Sequence, residues 1–374
     1  MKKRLHKNAL YIGLMSGTSM DGVDAALMNF QENKFITVGT LKRNYPKELR
    51  SQLLSASKNW KKTNIDQLGR LDQWTGEVFR DAALEIIKKL NVKANQIAAI
   101  GSHGQTIRHQ PKIENPFSMQ IGDPNVIAYG TKIITVSDFR RKDLAAGGEG
   151  APLTPIYHQA MFQSNKVNRI VLNIGGISNI TILNKNSKKI IGFDTGPGNT
   201  LLDAWIKKNL NKPFDKNGQW AEQGITNKAL LDSMMSDPYF DLMPPKSTGI
   251  EYFNLNWLNR FIKPKNIMET DVQKTLTVFT SESIAQAIEK FAPKTQEIIL
   301  CGGGAKNINL YKEIIDRLPK IKISKTDDYG IDSDYLEASA FAYLAKLTIS
   351  KKPGNLTSVT GARNQVILGG IYSV

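Results

Sequence analysis

Two glycine-rich hairpins of the same design, about 160 residues apart, constrain the fold of this 374-residue chain more than any other feature. In the first, a strand at 11–15 enters the turn Ser16 to Gly22 and the chain returns at 23–30. In the second, residues 169–183 again comprise a strand, a Gly/Ser/Asn turn and a strand. Short strands around residues that tolerate positive φ are typical of hairpins. Their recurrence near the start of each half indicates an internal repeat, and the long spacing excludes a solenoid.

Strand and helix patterns alternate along the rest of the chain. Apolar spacing predicts helices over 65–90, 275–291, 308–318 and 335–347, and buried strands over 96–102, 133–136 and 297–301. This alternation places the chain in the α/β class. The length suits two domains, and we predict one lobe of residues 1–130 plus about 353–374 and a second lobe of residues 131–352.

Composition excludes several other classes of protein. With 41% hydrophobic and 22% charged residues, the chain is an ordinary globular one. It has no apolar run long enough to span a membrane, and its basic start, Met1 to Lys7, lacks the apolar segment of a signal peptide. The single cysteine, Cys301, excludes an internal disulfide and indicates a reducing compartment. We therefore expect a soluble, cytoplasmic protein.

The net charge of +16 has two interpretations. It could attract nucleic acid, or it could concentrate anionic small molecules such as ATP. The 38 lysines and 12 arginines are scattered and are not interleaved with aromatic residues that would stack on bases. This pattern favours general lysine enrichment and does not predict a nucleic-acid partner.

Three glycine-rich segments lie at predicted strand ends: Ser16 to Gly22, Gly175-Gly176 and Gly302 to Gly304. Neither a Walker A motif nor a dinucleotide fingerprint is present. Glycines let backbone N–H groups approach phosphates closely. One such segment would usually be only a tight turn, but three favour a nucleotide cleft between two domains. Asp21 or Asp24 could hold Mg²⁺ through water.

Other polar residues follow buried strands. Asp194 lies between an apolar strand and a Gly-Pro-Gly turn, where it could act as a general base or simply cap a helix. His103 follows a buried strand, where α/β folds bind ligands, although a lone histidine is usually structural. Arg140 and Arg141 could clamp a carboxylate or phosphate, or form a solvated charge cluster. The four histidines form no zinc motif, and no serine-hydrolase elbow occurs.

In their order and spacing, these segments resemble the anhydro-N-acetylmuramic acid kinase family over nearly the whole chain. Ser137 and Lys142 depart from the family pattern, in which we expect Gly and Arg. The matching runs are Gly13 to Asp24, Ser102 to Thr106, Gln120 to Asp123, Asp138 to Asp143, Gly150 to Leu153, Leu172 to Asn179, Phe193 to Asn199, Pro245 to Gly249, Cys301 to Asn307 and Ser358 to Ala362.

The resemblance implies a two-domain actin/hexokinase-like ATPase fold with a cleft between duplicated domains. It also implies a kinase that uses ATP, Mg²⁺ and water to open 1,6-anhydro-N-acetylmuramic acid, giving N-acetylmuramic acid 6-phosphate and ADP in peptidoglycan recycling. Asp194 resembles the catalytic residue. His103, Arg140 or Arg141, and Glu337 are the candidate sugar-binding residues. The candidate ATP-binding residues are Gly17, Thr18, Ser19, Met20, Asp21, Gly22, Val23, Asp24, Gly302, Gly303 and Gly304.

Three alternatives stay open on the sequence alone. The chain could be an ordinary sugar or acid kinase of the same fold, which phosphorylates a free hydroxyl. It could be a chaperone-like or filament-forming ATPase, although 374 residues leave no room for a separate substrate domain. It could also bind nucleic acid through its charge. We expect a small-molecule substrate, no nucleic acid and no membrane, and the sequence is compatible with a homodimer.

Overall fold

The computed structural model describes residues 9–31, 34–262 and 267–374, so the basic segment Met1 to Lys7 lies outside it. None of the helices in these ranges is long and apolar enough to cross a membrane. The strands are β1 (Leu10–Ser16), β2 (Gly22–Phe30), β3 (Phe35–Asn44), β4 (Ile97–Gln110), β5 (Phe117–Ile121), β6 (Thr135–Ser137), β7 (Arg169–Ile174), β8 (Ile177–Leu183), β9 (Ile191–Pro197), β10 (Glu297–Cys301), β11 (Lys322–Lys325) and β12 (Gly370–Tyr372). The helices are α1 (Lys47–Lys58), α2 (Ile65–Lys89), α3 (Pro124–Thr131), α4 (Phe139–Ala145), α5 (Pro155–Phe162), α6 (Thr200–Leu210), α7 (Lys228–Met235), α8 (Leu255–Ile262), α9 (Glu269–Phe291), α10 (Ile308–Arg317), α11 (Leu336–Ile349) and α12 (Thr357–Thr360).

The described residues form two sheets with the same core topology. In the first, the order β3-β2-β1-β4-β6 begins with an antiparallel meander and continues with parallel strands. In the second, β9-β8-β7-β10-β11 repeats that order and those directions. The first sheet also carries β5 beside β4 and β12 beside β6. Both predicted hairpins and the α/β class are therefore confirmed.

Helix α11 packs so closely against β1 and β4 that, at two positions, the strands have no room for a side chain. Gly13 and Gly101 are register partners on those strands. A Cβ added to Gly13 would overlap the Ala338 carbonyl, and one added to Gly101 would overlap the Phe341 carbonyl. On the neighbouring β1 positions, side chains alternate to the opposite face and join the core beneath α2. The glycine pair thus sets the position of the helix that carries Glu337.

Two compact units divide the chain, and their limits differ from the predicted lobes. One unit runs to Tyr157 and resumes at Gly330, and the other is His158–Tyr329. Residues 131–157 and 330–352 belong with the first unit, because β6 pairs with β4 and α11 packs on the first sheet. The C-terminal segment also packs there, since β12 pairs with β6. Helix-period patterns locate these segments but do not reveal which sheet they cover.

Several element limits extend beyond the predictions. Strand β4 has 14 residues, because after Gly104 it continues as a hairpin with β5. Helix α9 begins at Glu269, before the predicted start at Thr275. Strand β10 occupies 297–301 as predicted. The differences arise where polar residues continue a regular element, which hydrophobic periodicity alone does not detect.

Candidate active site

The turn between β1 and β2 is held by a buried glutamine from β4. The Ser16 hydroxyl donates to Gln105 Oε1 at 2.7 Å, and Gln105 Nε2 donates to the Gly17 carbonyl at 3.2 Å. The Tyr45 hydroxyl also lies 3.4 Å from Gln105 Oε1. Thr18 and Ser19 at the tip are exposed. A Cβ on Gly17 would meet no atom within 4 Å, so the backbone at this position stays accessible to a ligand.

Arg50 braces the other side of this turn. Its Nε donates to the Met20 carbonyl at 3.0 Å, and its Nη2 lies 2.7 Å from Asp21 Oδ1 and 3.3 Å from the Ser19 carbonyl. Met20 has a φ of 51°, and its buried side chain anchors the turn in the core despite this strained conformation. The Asp21 carboxylate is consequently paired with a cation.

Asp24, on β2, has a different environment from Asp21. Burial raises the pKa of the Asp24 carboxyl to about 6, and the acidic Asp334 and Glu337 add to this rise while Lys42 opposes it. Val23, beside it, is buried in the core, and a Cβ on Gly22 would overlap the Arg43 carbonyl. Gly22 and Val23 therefore pack within the sheet, and Asp24 is the carboxylate that a cation would stabilise.

A second glycine-rich cluster forms at the carboxyl ends of β7 and β10. The amide N–H groups of 198, 199 and 200 donate to the carbonyls of Gly175 and Gly176 in the β7–β8 turn. Gly302 has a φ of 81°, and a Cβ there would overlap Asn173 Oδ1. Gly304 packs just as closely on Ile174. A Cβ on Gly303 would find only Asn199 Nδ2, at 4.0 Å, so Gly303 is the open position of the triplet.

Asp194 lies on β9 in the same unit and is fixed on several sides. Its carboxylate Oδ2 accepts a hydrogen bond from the Thr248 amide at 2.9 Å. Its own amide donates to the Lys246 carbonyl at 3.1 Å, and its carbonyl accepts from the Tyr239 hydroxyl at 2.7 Å. The segment containing Pro245 to Gly249 thus folds against Asp194. The Asp194 carboxylate is held in one orientation, as a general base requires.

Lys246 and Tyr239 set the electrostatic surroundings of Asp194. Burial lowers the pKa of Lys246, and nearby Lys290 lowers it further, whereas Asp241 and Asp194 oppose the shift. The Lys246 ammonium lies 4.6 Å from the centre of the Tyr239 ring. Burial and then the Asp194 charge raise the pKa of Tyr239, which therefore remains a hydroxyl donor.

In the first unit, Arg140 and His103 form one hydrogen-bonded pair. His103 Nδ1 lies 2.8 Å from the Gly104 carbonyl and donates its proton there, which leaves Nε2 as an acceptor. Arg140 Nε and Nη2 lie 3.0 and 2.9 Å from His103 Nε2. Burial and then the Arg140 charge keep the pKa of His103 well below its usual value. His103 is therefore neutral and orients the guanidinium.

Arg140 keeps donors for a ligand. A third N–H, on Nη1, donates to the Gly150 carbonyl at 2.9 Å. A guanidinium has five N–H groups, so two remain, which matches the two oxygens of a carboxylate. Burial lowers the pKa of Arg140 to about 10, whereas the charges of Glu337 and Asp143 oppose this. Arg140 thus remains cationic at neutral pH.

The other candidate sugar-binding residues are placed differently from one another. Glu337 is exposed as a residue, yet desolvation of its carboxyl by the atoms packed around it raises the pKa of Glu337, and the Arg140 charge partly offsets the rise. Arg141 points elsewhere: its Nε pairs with Asp138 Oδ1 at 2.7 Å on the surface. The structure therefore brings His103, Arg140 and Glu337 together and leaves Arg141 outside that group.

Asp143 organises the loop that holds Arg140. This buried carboxylate accepts hydrogen bonds from the Gly150 amide at 2.8 Å, the Asn355 side chain at 2.7 Å and the Thr360 hydroxyl at 2.8 Å. A Cβ on Gly148 would overlap the Asp143 carboxylate, so the loop needs glycine to wrap around it. The C-terminal segment thereby supports the Arg140 site.

Sequence reasoning missed the supporting residues Arg50 and Tyr239 and gave no role to Gln105, Asp143 or Lys246. Gln105, Asp143 and Lys246 lie within segments that match the family, and that match was the sequence signal that could have identified them. Arg50 and Tyr239 lie outside every run, and only the tertiary structure reveals their bonds to the turn and to Asp194.

Comparison with known proteins decides the family. A model of the anhydro-N-acetylmuramic acid kinase family matches residues 9–374. The chain belongs to the anhydro-N-acetylmuramic acid kinase family. It is 47% identical over 363 residues to a protein of that name from Coxiella burnetii, covering 97% of each chain. It is also 47% identical over 370 residues to one from Shewanella denitrificans, covering 99% of this chain and all of the other.

Solved structures match this kinase more distantly. Component A of (R)-2-hydroxyglutaryl-CoA dehydratase from Acidaminococcus fermentans has a TM-score of 0.47 and 12% identity, covering 90% of this chain and 97% of that one. Membership of the kinase family agrees with the expectation from the sequence. The hypotheses of a non-metabolic ATPase and of an ordinary kinase are therefore disfavoured.

Proposed function

We propose that this kinase opens and phosphorylates 1,6-anhydro-N-acetylmuramic acid with Asp194 as the general base. The observation that carries this assignment is the orientation of the Asp194 carboxylate, fixed by the Thr248 amide on one side and by backbone bonds through Lys246 and Tyr239 on the other. A base held in this way does not need to be ordered during the reaction, which lowers the entropic part of the barrier.

The chemistry explains why a base is needed. The internal bridge of the sugar joins the anomeric carbon to O6, so O6 carries no proton and cannot attack ATP unaided. Asp194 takes a proton from a water whose oxygen bonds to the anomeric carbon. The bond between that carbon and O6 breaks, and O6 takes the γ-phosphoryl group as the bond to ADP breaks. The products are N-acetylmuramic acid 6-phosphate and ADP.

The sugar would be recognised by the His103–Arg140–Glu337 group. The two remaining N–H groups of Arg140 suit the lactyl carboxylate of the sugar, because two parallel charge-assisted hydrogen bonds match its geometry. Glu337 would accept a hydrogen bond from the one free ring hydroxyl of the sugar. Arg141 would not contribute, since it pairs with Asp138 on the surface.

The backbone groups that we assign to ATP binding lie in two glycine-rich clusters, one in each unit. The exposed turn of Gly17, Thr18 and Ser19 offers N–H and hydroxyl donors to phosphates, and Gly303 is the open position of the second cluster. The side chains of Met20 and Val23 are buried and anchor the first turn. Only the backbone groups of these two residues would therefore contact ATP.

Mg²⁺ would be held mainly by the ATP phosphates. No group of three or more metal-binding side chains occurs among residues 9–31, 34–262 and 267–374. Asp21 is already paired with Arg50. Burial and neighbouring acids destabilise the charged carboxylate of Asp24, so a nearby cation would stabilise it. Asp24 is therefore a better water-mediated ligand for Mg²⁺ than Asp21. When bound, Mg²⁺ neutralises charge on the phosphates during transfer.

Replacing Asp194 by Asn tests the assignment, because Asn keeps the shape but cannot take the proton. We expect turnover to fall by about 10²–10⁴-fold with ADP affinity retained. Asp241→Asn is the matched control, since Asp241 is an exposed carboxylate that also acts on the Lys246 charge. Turnover of Asp194→Asn near the level of Asp241→Asn would contradict the role of Asp194 as base.

A further inference from the structure

An apolar pocket of about 340 Å³ lies within the first unit, away from the groups described above. Its wall is built by the end of α1, the start of α2 and the β4–β5 hairpin. A volume of this size accommodates a small organic molecule. The lining includes Trp60, Leu68, Arg108, Phe117 and Met119.

The β4–β5 hairpin exposes apolar side chains and buries a polar one, which a purely structural role does not explain. On β5, Phe117 and Met119 are each 38% exposed and line the pocket, whereas Ser118 between them is 3% exposed. The buried Ser118 hydroxyl bonds to His109 Nδ1 at 3.0 Å and to Gln120. A strand that packs only for stability buries its apolar side chains and exposes its polar ones. Here the apolar side chains are left for another occupant.

Two cations flank the aromatic rim of the pocket. The Arg108 guanidinium lies 4.4 Å, and the Lys61 ammonium 5.7 Å, from the centre of the Trp60 ring. The Trp60 side chain is itself 45% exposed. Within the described part of the chain, neither cation has a carboxylate partner. The rim therefore carries uncompensated positive charge beside an apolar floor.

We propose that this pocket binds a small organic anion with a flat apolar body. The body would pack on Phe117, Met119 and Leu68, and the anionic group would pair with Arg108 at the rim. The apolar contacts would supply most of the affinity, and the Arg108 cation would select charge. The proposal does not depend on the kinase reaction, because none of these residues belongs to the candidate active site.

Two fluorescent probes of similar shape separate the apolar contribution from the charge. The full-length protein, with saturating ADP to fill the nucleotide site, would be titrated with anionic 8-anilinonaphthalene-1-sulfonate and with uncharged N-phenyl-1-naphthylamine. We expect saturable binding of one molecule of the anionic probe. Arg108→Gln should weaken it about tenfold, as loss of one charge-assisted hydrogen bond predicts, and leave the neutral probe nearly unchanged. Phe117→Ser should weaken both probes.

Lys132→Gln is the matched control. Lys132 lies 3.8 Å from the centre of the exposed Tyr129 ring and forms a similar cation–aromatic pair that lines no part of this pocket. It should change neither titration. Absence of saturable binding, or equal effects of Arg108→Gln and Lys132→Gln, would overturn the proposal. Sedimentation of the same variants provides a further test: conversion of a dimer to a monomer by Phe117→Ser would also overturn the proposal, because a second copy would then cover this pocket.

Discussion

At the scale of single residues, the adjacent Arg140 and Arg141 have opposite environments. Arg140 directs three N–H groups to His103 and Gly150, whereas Arg141 is an exposed partner of Asp138. Arg140→Ala should raise the KM for the anhydro-sugar about ten- to a hundredfold, because it removes a charge-assisted contact of roughly 1.5–3 kcal/mol. Steady-state kinetics would measure this, with the KM for ATP unchanged. If Arg141→Ala had the larger effect on the KM for the sugar, the assignment would be reversed.

A second prediction concerns the backbone of the first turn. Gly17→Val adds a side chain to open space, so the melting temperature should remain near that of the wild type. The same side chain would block a phosphate, and ATP affinity measured by calorimetry should fall about tenfold or more. Gly22→Val is the contrast, because its side chain would overlap β3 and destabilise the fold. Unchanged ATP affinity in folded Gly17→Val would remove the turn from the ATP site.

At the scale of elements, we expect the contact of α11 with the paired glycines to couple packing to sugar binding, because α11 carries Glu337. Gly13→Ala would push on the backbone of α11, lower the free energy of unfolding by about 1–3 kcal/mol and displace Glu337. Denaturant unfolding and the KM for the sugar should change together. Gly69→Ala in α2 meets no atom within 4 Å and should stabilise the helix by about 0.5–1 kcal/mol, with kinetics unaltered. A normal KM for the sugar in Gly13→Ala would separate α11 from substrate binding.

A buried carboxylate makes the second sheet sensitive to acid. Burial alone would raise the pKa of Glu297, but hydrogen bonds from Ser324, Tyr329, Lys322 and Arg169 outweigh it and lower the pKa to about 2. A lowered native pKa stabilises the fold above the unfolded value near 4.5, and this contribution is lost as the pH falls toward about 2. Melting temperatures of wild type and Glu297→Gln should therefore differ most near neutrality and converge in acid. A difference independent of pH would contradict this account.

The elements with strong hydrophobic patterns could be predicted from the sequence, and the contacts between elements could not. Strand β10 and both hairpins follow directly from apolar runs bounded by glycine. The assignment of α11 to the first unit depends on two glycines that lie about 90 residues apart and meet only as register partners. Likewise, nothing in the Arg140-Arg141 pair distinguishes the two arginines until the loop at Gly150 folds around Asp143.

At the scale of the whole molecule, the residues proposed for the reaction are distributed over two units, each built on a sheet of the same topology. The first unit contains the turn of Gly17 and the proposed sugar-binding group around Arg140, and the second contains Asp194 and the cluster at Gly303. Such a duplication explains why the hairpin recurs in the sequence. The resemblance to the kinase family could identify the reaction, whereas the supporting bonds of Asp194 required the folded chain.

The proposed reaction requires that water opens the bridge while O6 receives the phosphate. The direct measurement is the reaction in H₂¹⁸O, with the product analysed by mass spectrometry before mutarotation exchanges the label. If Asp194 activates water at the anomeric carbon, the product sugar should carry one ¹⁸O, at the anomeric hydroxyl, and the phosphate ester should keep the original bridging oxygen. A phosphorylated sugar with the bridge intact, or without label at the anomeric carbon, would contradict the mechanism.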